Sequence, residues 1–88
     1  MKYEIAENKI LVLQDELDIY DAPYLRENIT STGKTNNNSV VLDLHNVESI
    51  STPIIQILLS AGKTLSDFKV MNINDSVMRN LTIFGFSL

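Results

Sequence analysis

Three adjacent residues, Ser51, Thr52 and Pro53, place two hydroxyl groups and a proline directly before an apolar run. A hydroxyl at the N-cap followed by proline in the first turn is typical of the start of an α-helix. The N-terminus of a helix carries positive partial charge, so a phosphoryl group is tolerated there. Phosphorylation adds a charge of about −1.5 to −2, which creates or abolishes protein contacts. The same pair also suits simple N-capping, and the local residues leave both interpretations open.

The other groups capable of chemistry do not form a recognisable site. His45 is the one histidine and there is no cysteine, so a set of zinc ligands is lacking. A catalytic triad would combine one of the two hydroxyls with His45 and Asp43, yet a capping hydroxyl is committed to the backbone. The carboxylates of Asp15, Glu16 and Asp18 lack the glycine-punctuated loop of a calcium site. We therefore predict a protein without enzymatic activity, catalytic residues, metal or cofactor.

Composition limits the partners and the location of the chain. Its 88 residues leave room for one domain, residues 1–88. With 7 basic and 11 acidic residues the net charge is −4, which disfavours a surface for nucleic acid. No apolar run approaches the roughly 20 residues of a membrane span, and the N-terminal residues lack the pattern of a signal peptide. We predict a cytoplasmic protein without membrane insertion.

Hydrophobic periodicity predicts an α/β fold of order β-β-α-β-α-β-α, a mixed sheet of about four strands packed with about three helices. The strands are predicted at residues 3–6, 10–13, 40–44 and 68–73, and the helices at 22–29, 53–65 and 75–84. The first strand is expected at an edge, and residues 68–73 are expected to pair parallel to residues 40–44 through the crossover helix. The run at 40–44 is of the type expected for a central strand covered by helices on both faces, and helices are expected to cover at least one face of the sheet. Residues 30–38 contain no apolar residue and are predicted to be a surface loop.

Three segments resemble a known family. The chain resembles the STAS family in three successive segments. These are residues 17–26, residues 40–44 with the turn and helix after them, and residues 70–73 with Val77, Leu81 and residues 84–86. Bacterial anti-sigma-factor antagonists belong to this family. The resemblance covers most of the chain and implies a single small STAS-like domain, in agreement with the element order read from the periodicity.

The resemblance also implies a role for the hydroxyl pair. Anti-sigma-factor antagonists carry Asp-Ser-Ser-Gly before the corresponding helix, and a partner serine kinase phosphorylates the first Ser or a Thr in its place. The matching residues are Ser51, Thr52, Pro53 and Ile54. Thr52 then takes the acceptor position, with Ser51 as the second candidate. The missing carboxylate and glycine imply either altered kinase recognition or a loss of phosphorylation with the docking surface retained.

The resemblance further implies a partner: an anti-sigma factor or serine/threonine kinase of GHKL type, bound at a surface beside the hydroxyl pair. The predicted partner-binding residues are Asp18, Tyr20, His45, Asn46, Pro53 and Gln56. Phosphorylation is expected to weaken this docking. The alternative is a constitutive accessory subunit of a chemotaxis signalling complex or a lipid-transport ABC system, in which Thr52 is structural.

Overall fold

The computed structural model describes residues 1–85 and forms the predicted α/β fold. The strands are β1 (Tyr3–Ala6), β2 (Lys9–Val12), β3 (Glu16–Leu17), β4 (Ser39–Asp43), β5 (Ser49–Ile50) and β6 (Asp67–Met71). The helices are α1 (Ala22–Thr35), α2 (Thr52–Thr64) and α3 (Asp75–Ile83), and a 3₁₀ turn at Ile19–Asp21 leads into α1. Phe86, which contributes to the family resemblance, lies outside the described residues.

The main sheet has the strand order β1-β2-β4-β6. β1 and β2 form the predicted antiparallel hairpin with Ile5 opposite Ile10, and β1 is an edge strand as predicted. β4 pairs parallel with β2 on one side and with β6 on the other, where Leu42 lies opposite Val70. The parallel pairing of β4 with β6 through the crossover helix confirms the βαβ unit expected from the sequence.

Helices cover one face of this sheet within residues 1–85. Val40 and Leu42 of β4 are fully buried beneath α1 and α2, in a core completed by Ile54 and Leu58 of α2. On the opposite face, Lys69 is exposed between half-buried neighbours of the same strand. The prediction that β4 is covered by helices on both faces is therefore wrong. A short, nearly continuous apolar run does not distinguish a strand buried on both faces from an interior strand shielded on one face by its neighbours.

Helix α1 is longer than the sequence indicated. Residues 30–35, predicted as loop, continue the helix, and Thr32 and Gly33 are buried. A Cβ atom on Gly33 would lie only 2.8 Å from Leu65 Cδ2. Because glycine has no side chain, α1 can pack closely against Leu65, the residue that follows α2. Residues 30–35 are small or polar, so they show no hydrophobic periodicity that would predict a helix. Their helix propensity is weak, but packing against the rest of the domain outweighs it. The loop is reduced to residues 36–38, where Asn37 and Asn38 adopt φ of 56° and 62°.

A single substitution in α2 is expected to stabilise the fold. Gly62 is exposed in the last turns of the helix, and nothing lies within 4 Å of a Cβ atom built there. Gly62→Ala should raise the free energy of unfolding by about 0.5–1 kcal/mol, because alanine loses less backbone entropy on folding. Urea denaturation measures the change. Gly85→Ala is the control and should destabilise instead, because Gly85 has φ of 84°; the same sign for both variants would contradict the argument.

Candidate functional site

Two short strands absent from the sequence prediction bring the hydroxyl pair beside the acidic segment. β3 and β5 form a separate parallel pair with Leu17 opposite Ile50. The backbone N–H of Ser51 donates to the Leu17 carbonyl at 2.9 Å, and that of Glu48 donates to the Asp15 carbonyl at 2.6 Å. Residues 15–21, residues 45–53 and Gln56 therefore form one end of the molecule, which we call the tip.

At the tip the two hydroxyls differ in accessibility. Ser51, at the N-cap of α2, makes no side-chain capping bond, and its Oγ is buried without a hydrogen-bond partner in the described residues. Its carbonyl accepts from the N–H groups of Ile54 and Ile55, each at 3.1 Å. Thr52 is the first helical residue and is exposed. The structure thus places the Thr52 side chain on the surface and the Ser51 oxygen beneath it.

The helix start corrects two details of the sequence prediction. Proline was expected at the first helical position, but Thr52 occupies it and Pro53 is second. The expected side-chain cap is also missing, because the Ser51 hydroxyl is buried and does not bond a backbone N–H. Within the described residues, neither the Ser51 nor the Thr52 hydroxyl therefore caps α2.

Asp18 has a structural contact of its own within the tip. Its Oδ1 accepts from the N–H of Tyr20 at 2.9 Å, while its own N–H donates to Asp21 Oδ2 at 3.0 Å. This reciprocal capping box holds the 3₁₀ turn. Gln14 Nε2 donates to the same Asp21 oxygen at 2.9 Å and ties the turn to the end of β2. A rigid turn presents its outward side chains at little entropic cost on binding.

Those outward side chains are largely apolar. Tyr20 is 82% exposed, and Ile19 and Tyr24 are each more than half exposed. Exposed apolar clusters mark interaction surfaces, and tyrosine is enriched among the residues that dominate binding energy. Tyr20 was among the predicted partner-binding residues, whereas Ile19 was missed. The residue types in this segment do not indicate that Ile19 is exposed, and the 3₁₀ turn places it outward.

The remaining predicted partner-binding residues border this surface. His45 and Asn46 are exposed in the turn after β4, and Asn46 Nδ2 donates to the Val12 carbonyl at 3.2 Å. Pro53 is half-buried and Gln56 is exposed on α2. The six predicted residues therefore lie on elements that meet at one end of the domain. Whether a partner contacts them stays a prediction.

Asp43 is a buried carboxylate directly beneath the tip, only 4% exposed. It accepts from the His45 N–H at 2.9 Å and from Asn72 Nδ2 at 3.2 Å, and Lys9 Nζ lies 3.2 Å away. Burial by itself raises the pKa of Asp43, but the hydrogen bonds and the lysine charge outweigh it and hold the pKa below its ordinary value of 3.8. The charged carboxylate of Asp43 thus links its own strand, β4, to Lys9 of β2 and to Asn72, which follows β6.

The histidine ring is not part of this network, since Asp43 contacts only the backbone of His45. Across residues 1–85, no three histidine, cysteine, aspartate or glutamate side chains are grouped closely enough to hold a metal ion. Within the same part of the chain, none of the helices has the length and apolar character needed to cross a membrane.

The fold agrees with the comparisons with known proteins. The sequence profile of the STAS domain matches residues 1–88. The chain therefore belongs to the STAS-domain family.

Solved structures with the same fold include two described as bacterial regulators. A candidate anti-sigma factor antagonist of Thermotoga maritima, tm1081, superposes with a TM-score of 0.64 at 23% identity, covering 94% of this chain and 76% of that one. The Bacillus cell-fate determinant SpoIIAA, in its phosphorylated form, superposes with a TM-score of 0.69 at 12% identity, covering 97% and 83%. At these identities the likeness establishes the fold. A search of curated proteins found no match.

Proposed function

We propose that the protein is a non-enzymatic, cytoplasmic regulatory module of the anti-sigma-factor-antagonist kind. It docks through the tip onto a protein partner, an anti-sigma factor or serine kinase of GHKL type, and phosphorylation of Thr52 weakens the docking. The observation that carries the proposal is the position of Thr52, which is exposed at the first position of α2 in the middle of the tip. The solved structure of SpoIIAA in a phosphorylated form supports a switch of this type in the same fold.

The charges of the tip determine the chemistry of the partner. Asp15, Glu16 and Glu48 are exposed along the paired strands β3 and β5 and the residues next to them. A partner surface facing these three carboxylates is expected to be basic, whereas the partner surface opposite Thr52 and Tyr20 is expected to be apolar. A phosphoryl group at Thr52 is favoured by the helix N-terminus, but the partner must desolvate its charge of about −1.5 to −2. Docking therefore weakens after modification.

Phosphate mapping tests the proposal directly. The tagged protein is copurified from its host, and the recovered kinase is incubated with wild-type protein and ATP. We expect mass spectrometry to locate phosphate on Thr52. Thr52→Val should abolish incorporation, and Ser51→Ala should leave it unchanged because the Ser51 Oγ is buried.

Three results would count against this assignment. Phosphate on neither hydroxyl would remove the switch, phosphate on Ser51 would show that α2 opens at its start, and phosphate elsewhere would move the site. Circular dichroism of each variant separates a loss of acceptor from a loss of folding.

A second candidate is favoured by the packing of Ile54. This side chain is fully buried at the position where the antagonist motif carries glycine. A core residue there suits a constitutive accessory subunit in which the start of α2 is a fixed structural element, as in a chemotaxis complex or a lipid-transport ABC system. Copurification distinguishes the candidates: an ABC ATPase or a chemotaxis protein as partner supports the accessory subunit, and a GHKL-type kinase supports the switch.

A further inference from the structure

A groove runs between α1 and α2, away from the open face of the sheet, and its end at Pro53 and Gln56 adjoins the tip. Its volume is about 390 Å³. The floor is apolar and is formed by Ile29, Ile57 and Ala61, each of them buried. The rim is polar and includes the exposed side chains of Arg26 on α1 and Ser60 on α2. An apolar floor with a polar rim is the usual composition of a docking groove.

The groove is long and concave. Its lining on α2 extends from Pro53 to Thr64, which at 1.5 Å per residue is about 16 Å, or three helical turns. An amphipathic helix presents an apolar face with residues at this spacing and inserts it into grooves of this kind. A flat lipid surface does not reach the floor between two helices.

The two helices differ in charge from the rest of the chain. They carry three of the 7 basic residues, Arg26, Lys34 and Lys63, and one of the 11 acidic residues, Glu27. The chain as a whole has a net charge of −4, yet the one charged residue among the described residues that line the groove is Arg26, which is positive. Arg26 forms no ion pair within residues 1–85. Charge complementarity therefore selects an acidic occupant here, the opposite of the basic partner expected at the tip.

We propose that the groove between α1 and α2 is a docking site for an acidic amphipathic helix of a partner protein. Apolar side chains of that helix pack on Ile57 and Ala61, and a carboxylate pairs with Arg26. The groove shares Pro53 and Gln56 with the tip, but Arg26 and the groove floor lie outside the tip, so this docking site differs from the phosphorylation switch.

The test uses the isotopically labelled chain and a synthetic helical peptide of about four turns, with leucine on one face and glutamate on the other. We expect the peptide to shift the NMR signals of Ile57, Ala61 and Thr30. A peptide with lysine in place of glutamate should bind about tenfold more weakly or not at all. Arg26→Glu should weaken binding of the acidic peptide by about tenfold or more, because it replaces attraction by repulsion.

Lys69→Glu is the matched control: it makes the same charge reversal on an exposed residue of β6 and should leave the affinity unchanged. Equal binding of both peptides, or shifts confined to other surfaces, would overturn the proposal. Binding to phosphatidylglycerol vesicles without binding of the peptide would assign the groove to a membrane instead. Self-association of the chain through the groove, seen by light scattering together with shifts of its lining residues, would also overturn it. None of these results depends on phosphorylation of Thr52.

Discussion

A Thr52→Glu variant is expected to bind the partner recovered by copurification at least about tenfold more weakly than the wild-type protein. The substitution places a carboxylate at the start of α2, where the partner has to remove it from water without a hydrogen-bonding replacement. Leaving a charge unpaired at an interface costs about 2 kcal/mol or more, which exceeds a tenfold change in affinity. Titration calorimetry with the purified partner measures the loss.

The variant should nevertheless fold normally. A negative charge at the N-terminus of a helix is favourable by about 0.3–1 kcal/mol, so thermal unfolding should not shift to lower temperature. Ser66→Glu is the matched control, because it adds the same charge on an exposed residue past the opposite end of α2, roughly 20 Å away. Unchanged affinity in Thr52→Glu, or an equal loss in Ser66→Glu, would show that Thr52 does not face the partner.

Asp43→Ala is expected to lower the free energy of unfolding by about 2–3 kcal/mol at neutral pH. The substitution removes the acceptor of the His45 N–H and of Asn72 Nδ2, and hydrogen bonds to a buried charge contribute more than neutral ones. Lys9 is 45% exposed and regains water, so its lost ion pair adds little. Urea denaturation of both proteins measures the difference.

Asp67→Ala serves as the control for Asp43. Asp67 is an exposed carboxylate at the start of β6 that accepts from Ser39 Oγ at 2.9 Å. Its removal should change the stability by less than about 0.5 kcal/mol, because water replaces the lost contact. Similar losses for Asp43→Ala and Asp67→Ala would contradict the role given to burial.

The stabilisation by Asp43 should also depend on pH in a defined direction. Because the pKa of Asp43 is lower in the folded protein than its ordinary value of 3.8, the folded state favours the charged form. Its contribution is then fully present above that ordinary value and is lost as the pH falls through the lower, folded value. The stability difference between the wild type and Asp43→Asn should therefore be constant near neutrality and shrink below pH 3.8. A difference that grows on acidification would contradict this assignment.

Much of the architecture was predictable from local pattern. The apolar period of α2 and the Ser-Thr-Pro start located the helix to within a residue, since side-chain burial and the preference of proline for the first helical turn are local properties. The alternation along β6 and the run in β4 predicted a parallel pair, which the register confirms. The family resemblance, confirmed by the match to the STAS domain, rests on these same segments.

The helical end of α1 was not predictable, because it depends on packing between distant residues. Thr32 and Gly33 carry no hydrophobic signal and become helical where Gly33 meets Leu65. The strands β3 and β5 have two residues each. A segment of that length is too short to show the alternation of apolar and polar residues that predicts a strand.

The sequence by itself determined that two hydroxyls precede an apolar helix near an acidic segment, because composition and spacing are local properties. Only the tertiary structure decided that the Thr52 side chain faces outward while the Ser51 oxygen is buried. It also decided that Ile19 is exposed and that Arg26 borders an apolar groove. Exposure depends on which distant strands and helices pack against a residue. In this domain, the exposure of these residues is determined by the pairing of β3 with β5 and by the contact of α1 with α2.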